Sequence, residues 1–204
     1  MKKEATKILF KCAEIYDKTL LRKNLLIVTM FKNNIKAIEV RFPKNAYEHL
    51  TGVNVAEGIS ANHFYSLCLD KRLRVEDFEF KDDGTTRLKL DVLEPLLKSI
   101  NSVKMVTDFN NKRPKLQVDK LAGGIHACLG LMLENNERFY IPKTVLKTDL
   151  RNEGDEIEKV LFIAEKLKDE KLYNKITYIS KKVDLEKLRI PREIRAKIDP
   201  ECID

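Results

Sequence analysis

The stretch N-L-L-I-V-T-M-F-K-N-N-I-K-A-I-E-V-R-F, residues 24–42, decides how the chain is read. Two runs rich in β-branched and aromatic residues, 24–31 and 35–42, flank Lys32-Asn33-Asn34. Such a pair reads as a hairpin, and Pro43 ends its second arm. Upstream, Ala5, Ile8, Leu9, Cys12, Ile15, Tyr16 and Leu20 share one helical stripe, opposite Lys3, Lys7, Lys11, Glu14, Asp17 and Lys18. That spacing predicts an amphipathic helix of about five turns. Downstream, Ala46, Tyr47 and Leu50 face one way on a short helix that Gly52 is placed to stop. Ser60 is a good N-cap for a further helix with Phe64, Leu67 and Cys68 facing in. Asp82-Asp83-Gly84 is a turn signal, Leu88 and Leu90 alternate, and Leu93, Leu96, Leu97 and Ile100 return to helical spacing.

From about Val103 the pattern becomes one of strands. Runs 104–109, 115–118, 125–133 and 138–141 are separated by turn-rich segments 110–114 and 134–137. A helical or irregular stretch, 143–151, leads to strands at 159–168 and 175–181, and 191–198 suits a short helix with Pro191 in its first turn. Helices come mostly first and an antiparallel meander follows, which favours an α+β fold over a parallel doubly wound one.

The composition limits the function classes. Net charge is +7, from 39 Lys+Arg against 32 Asp+Glu. Residues 1–36 hold 9 basic and 3 acidic side chains, residues 37–180 hold 23 of each, and the remainder holds 7 and 6. The excess therefore sits on the N-terminal segment, which suits an anionic partner such as nucleic acid, although lysine-rich faces also serve solubility alone. The cysteines Cys12, Cys68, Cys128 and Cys202 lie far apart, without the local pairs on which zinc sites are built, so no metal is expected. No hydrophobic signal core opens the chain, and its longest apolar run, 125–133, falls far short of the ~20 residues that span a bilayer. A cytoplasmic protein without membrane contact is the expectation. Neither G-x-G-x-x-G nor a Walker motif, G-x-S-x-G, H-E-x-x-H or calcium loop is present, so no cofactor is expected.

Histidine and positive charge remain. His49 falls in the last turn before Gly52, where the helix dipole favours the imidazolium by ~0.3–1 kcal/mol. A readily protonated histidine can give a proton to a leaving oxygen, and Thr51 with the turn backbone would orient it or a phosphate. The alternative is a histidine that caps the helix end and does nothing more. Lys112, Arg113, Lys115 and Lys120 lie in or just after a β-turn, where an arginine can grip phosphate through two parallel N–H bonds. The alternative there is a solvated hairpin tip. Strict alternation over 175–181 sends Ile176, Tyr178 and Ser180 to one face, and Lys175, Thr177, Ile179 and Lys181 to the other. His63 and His126 read as structural.

Five segments in order, H-L-T-G-V (49–53), L-K-L-D-V-L (88–93), D-F-N-N-K-R-P (108–114), K-L-A-G-G (120–124) and T-V-L-K-T-D-L-R (144–151), resemble a family of phage and prophage nucleases. The family belongs to the barnase–EndoU–colicin–RelE group, and the resemblance runs from about Val40 to Lys182. It implies N-terminal helices and a strongly curved antiparallel sheet. The chain then divides into a basic helix and hairpin (1–39), a barnase/RelE-like nuclease domain (40–182) and a tail (183–204). The resemblance also implies metal-independent ribonuclease chemistry, in which the 2′-hydroxyl attacks the adjacent phosphorus. By position, His49 becomes the acid or base and Arg113 the phosphate clamp; Lys147 or Lys181 supports the charge, and Tyr178 stacks on a base or positions the phosphate. Thr51, Lys112, Lys115 and Lys120 complete the expected nucleic-acid contacts. RNA is the expected partner, with a host or antitoxin protein as a further one. The alternative is a non-catalytic nucleic-acid- or protein-binding protein on the same fold, such as a counter-defence inhibitor.

Overall fold

The computed structural model describes residues 1–110, 116–134 and 138–203. The first helix, α1 (Lys2–Tyr16), buries Ala5, Leu9, Cys12, Ala13 and Tyr16 along the stripe read from the sequence, and a π-helical turn (Asp17–Leu21) buries Leu20 and Leu21. Its lysines point outward, and two are met by acids of neighbouring elements: Lys2 bonds Glu79 at 2.5 Å and Lys11 bonds Glu94 at 2.8 Å. The hairpin follows as β1 (Lys23–Phe31) and β2 (Asn34–Arg41), in register from Asn24 opposite Arg41 to Phe31 opposite Asn34. Lys32 and Asn33 take positive φ of 47° and 66°, the left-handed turn that a two-residue hairpin loop requires.

Next come α2 (Ala46–Thr51), β3 (Val53–Val55), α3 (Ala61–Leu69), β4 (Phe78–Phe80) and α4 (Thr85–Ser99). Gly52 ends α2 at φ 70° and Ser60 caps α3 by accepting from the His63 amide. Tyr16, Phe42, Tyr47, Phe64 and Tyr65 form one aromatic cluster, with Tyr47 5.5 Å from Tyr16 and 5.4 Å from Tyr65 between ring centroids. The expected alternation at Leu88 and Leu90 does not occur. Helix α4 begins at Thr85, Leu88 is 51% exposed on its outer face and Leu90 is buried, so the i, i+2 spacing is incidental to a helix.

The remaining strands are β5 (Met105–Asp108), β6 (Lys120–Gly123), β7 (Cys128–Leu133), β8 (Phe139–Leu146), β9 (Glu158–Leu167) and β10 (Lys175–Ile179), followed by α5 (Arg192–Arg195). Strands β5 to β8 form an antiparallel meander. Because β9 pairs with both β1 and β5, and β2 with β8, the sheet closes on itself in the order β1-β2-β8-β7-β6-β5-β9. Strand β10 adds to the free part of β9. The β2–β8 pairing is parallel, through Glu39 with Phe139 and Val40 with Tyr140, and the other strands of this sheet pair antiparallel. Closure of this kind gives the strong curvature expected.

Three strand boundaries differ from the sequence reading. Residues 116–118 are not a strand, and β6 begins at Lys120. The run from Ile125 splits, because 124–127 turn back on themselves with the Gly124 amide donating to the Ala127 carbonyl at 3.1 Å, and β7 starts only at Cys128. Gly123 is needed there, since a Cβ would lie 2.5 Å from the Ala127 oxygen. Strand β8 runs on through Leu146, where an irregular segment was expected; its β-branched Thr144 and Val145 are both buried.

The largest core joins the helices to one face of the sheet: Leu9, Tyr16, Leu50 and Leu93 pack with Leu25, Ile27, Val106, Leu129 and Val160. The opposite faces of β1 and β9, through Leu26, Val28 and Phe162, are covered by Ile194, Ile198 and Ile203 of the C-terminal segment. No helix among the described residues is long and apolar enough to cross a membrane.

Candidate active site

Helix α2 is fixed from below. Tyr47 and Leu50 are fully buried, and the Tyr47 hydroxyl donates to the Leu9 carbonyl at 2.6 Å. One turn of helix therefore holds His49 on the opposite, exposed side. At the end of α2 the Thr86 hydroxyl donates to the Gly52 carbonyl at 2.5 Å, and the Lys89 ammonium donates to the His49 carbonyl at 3.0 Å. The first turns of α4 are thus fastened to the last turn of α2. The Lys89 stem lies so close across this junction that a Cβ at residue 52 would meet its Cδ at 2.6 Å. Glycine suits the left-handed φ there, and a larger residue would also have to push the Lys89 stem aside.

Burial pushes the Lys89 pKa down from 10.5 to about 8; Lys81 pushes the same way and Asp83 opposes. His49 is also lowered from 6.5, first by desolvation and then by Lys143, Lys89 and Lys81. The sequence-based expectation of an imidazolium favoured by the helix dipole is therefore corrected. Burial and three nearby ammonium groups act against the imidazolium, opposite in sign to the helix dipole. Glu48, beside His49, is raised by burial with Lys81 opposing. Further along the same edge, Lys147 pairs with Asp91 of α4 at 3.0 Å. Lys89 of α4, Lys143 of β8 and Lys81, which precedes α4, thus form a cationic cluster around His49 of α2, and Lys147, just after β8, pairs with Asp91 of α4.

The other expected site residues are placed elsewhere. Thr51 is buried, with its hydroxyl donating to the Glu48 carbonyl at 2.7 Å, so it holds the helix end rather than facing solvent. Lys120, on β6, pairs with Asp108 opposite it on β5. Burial alone would lower its pKa, yet Asp108, with help from Glu158 and Tyr140, raises it. Tyr178 lies half-buried on β10, with the Lys104 ammonium 3.7 Å from its ring centroid. The strict alternation expected around it fails because a bulge falls between Ile176 and Tyr178, which sends Ile176 to the C-terminal core and Tyr178 to the main one. Lys181 is exposed in the turn after β10. Lys112, Arg113 and Lys115 lie outside the described residues.

His49 and Tyr178 do not meet. The α2 end is tied to Thr86, whereas β10 is tied to the 3-10 turn Ile100–Ser102 just beyond the opposite end of α4 by the Thr177 hydroxyl, which donates to the Asn101 carbonyl at 3.0 Å. Fifteen residues at a rise of 1.5 Å put these anchors about 22 Å apart. His126, read as structural, is exposed in the β6–β7 turn, on the rim of an apolar cavity beside α4.

Lys81, Lys89 and Lys143 escaped the reading of single residues. Lys89 nevertheless stands inside L-K-L-D-V-L, and Lys143 directly precedes T-V-L-K-T-D-L-R. Lys89 of the second segment bonds the His49 carbonyl of the first, and Asp91 of the second pairs with Lys147 of the fifth, so the first and fifth motifs both touch α4. The family described as phage-Barnase-EndoU-ColicinE5/D-RelE like nuclease4 matches residues 8–182, from within α1 to just beyond β10. It therefore takes in most of the lysine-rich first helix, which the resemblance read from the motifs left out. No curated protein and no solved structure matches the chain. On a match that spans most of its length, the chain belongs to this nuclease family of the barnase–EndoU–colicin–RelE group.

Proposed function

We propose that the chain is a metal-independent endoribonuclease of a phage or mobile element, with the lysine cluster around His49 as its catalytic centre. The observation that carries this reading is the Lys89 ammonium held 3.0 Å from the His49 main-chain carbonyl, with Lys81 and Lys143 near the same imidazole, an environment that lowers the His49 pKa and brings that of Lys89 down to about 8. At neutral pH the imidazole is uncharged and can accept a proton, while the Lys89 ammonium still holds one that it can give up. In the proposed reaction His49 removes the proton of an RNA 2′-hydroxyl. The 2′ oxygen bonds to the adjacent phosphorus, the bond from phosphorus to the 5′ oxygen breaks, and Lys89 protonates that leaving oxygen. The products are a 2′,3′-cyclic phosphate and a 5′-hydroxyl. Lys81, Lys143 and Lys147 supply the positive charge on which the developing phosphorane charge rests.

A second reading, a non-catalytic RNA- or protein-binding module on the same fold, is favoured by one observation: Tyr178 lies at the far end of α4 from His49. Incubation with mixed single-stranded RNA in EDTA separates the two. Cleavage that leaves cyclic phosphate ends, and that is lost in folded His49→Ala, supports the enzyme. Binding without cleavage supports the module.

A further inference from the structure

Further along α4 from Lys89, the helix and the β6–β7 turn line a cavity of about 540 Å³. That lies within the ~300–1,000 Å³ typical of small-ligand sites. Its walls are carbon-rich, with Val92, Leu96 and Val103 on one side and Gly124, Ile125 and Ala127 on the other. Its charge-bearing lining residues are Lys104 and His126, both exposed, and among the described residues no acidic side chain lines it. Such a site disfavours cations and suits a flat, weakly polar ring carried by an anion.

The cavity and the lysine cluster share one side of α4. Lys89, Val92, Leu96 and Ser99 fall on one stripe of α4, at spacings of three and four residues, and Val92 lies about 4.5 Å along the axis from Lys89. We propose that this cavity receives a nucleobase of single-stranded RNA whose phosphate rests on the lysine cluster around His49; the proposal rests on the nucleic-acid reading above. The base would cover Ile125, which is 51% exposed. His126 stands at the rim, where a ring nitrogen can bond the base edge. Lys104, held over the Tyr178 ring, offers a cation beside an aromatic face for the next phosphate and base. On this account Tyr178 serves the strand beyond the bound base.

The test is direct binding, which needs no catalysis. A fluorescent short single-stranded oligonucleotide, made non-cleavable by 2′-deoxy substitution, is titrated into the full chain, beside the same oligonucleotide with its bases replaced by abasic spacers. Two variants block the cavity from opposite walls. Ser99→Trp changes an exposed residue, and Gly124→Phe adds a side chain whose Cβ meets nothing within 4 Å. The base-bearing strand is expected to bind the wild type at least about tenfold more tightly than the abasic one, and each blocking variant to remove that difference. Lys89→Met is expected to weaken both strands alike. Equal binding of the two strands by the wild type, no binding of either, or indifference to both variants would overturn the proposal. Base-dependent binding by a protein that cleaves no RNA would keep the cavity and refute the enzyme; cleavage without base dependence would do the reverse.

Discussion

Replacing Lys89 by methionine isolates the cost of the candidate site. In the unfolded chain this lysine titrates at 10.5, and in the fold at about 8. Below pH 8 the folded state must hold a charge that its surroundings disfavour, so the folded form is penalised relative to the unfolded one. The penalty is complete below the folded pKa and disappears as pH rises from about 8 to 10.5. A shift of that size corresponds to at most about 3 kcal/mol at neutral pH, and solvent around the ammonium reduces it. Loss of the 3.0 Å bond to the His49 carbonyl costs back about 1 kcal/mol. Methionine keeps the stem that packs against Gly52. Lys89→Met is therefore expected to be more stable than wild type at pH 7 by roughly 1–2 kcal/mol, a rise in Tm of about 2–8 °C for a chain of this size. By pH 10.5 the advantage vanishes or reverses. Urea denaturation at several pH values reads this directly. A variant destabilised at pH 7, or a difference that does not change with pH, would show that Lys89 is not under electrostatic strain.

Gly52→Ala forces a Cβ into a φ of 70° and against the Lys89 stem, so a loss of about 1–2 kcal/mol is expected in thermal unfolding, with RNA affinity falling as Lys89 is displaced. The double change Lys81→Gln with Lys143→Gln removes two of the charges that lower His49. Its imidazole pKa, followed by NMR, is expected to rise toward 6.5, and an unmoved titration would remove both lysines from the site. The same variant is expected to flatten the salt dependence of RNA binding by a slope of about 1 for each phosphate that it no longer neutralises. Cys12, pushed up to about 12 by burial, is expected to stay unmodified by thiol reagents in the folded protein at pH 8 and to react on unfolding.

Local signals in the sequence went far for the first half of the fold. The α1 stripe, the 24–42 hairpin, Gly52 as a C-cap and Ser60 as an N-cap are each set by residues within a few positions of one another. Where neighbours in space are distant in sequence, legibility fell. The β1–β9 and β2–β8 pairings that close the sheet, and the cover given to β1 by Ile194 and Ile198, have no local signature. The bulge before Tyr178 reversed a face assignment that assumed unbroken alternation. For the site, His49 was visible as a rare residue at a helix end. Lys89 was not, because its lowered pKa arises from packing against a helix 40 positions away, and composition cannot tell a desolvated lysine from a solvated one.

The central claim, that His49 and Lys89 move the protons of RNA cleavage, is tested most directly by a pH–rate profile in EDTA between about pH 5 and pH 10. The expected profile is a bell whose acid limb lies below 6.5 and whose alkaline limb falls near 8. Lys89→Arg should carry the alkaline limb upward and His49→Ala should abolish the acid limb along with most of the rate. A profile that is flat, or cleavage that survives unchanged in both variants, would contradict the claim.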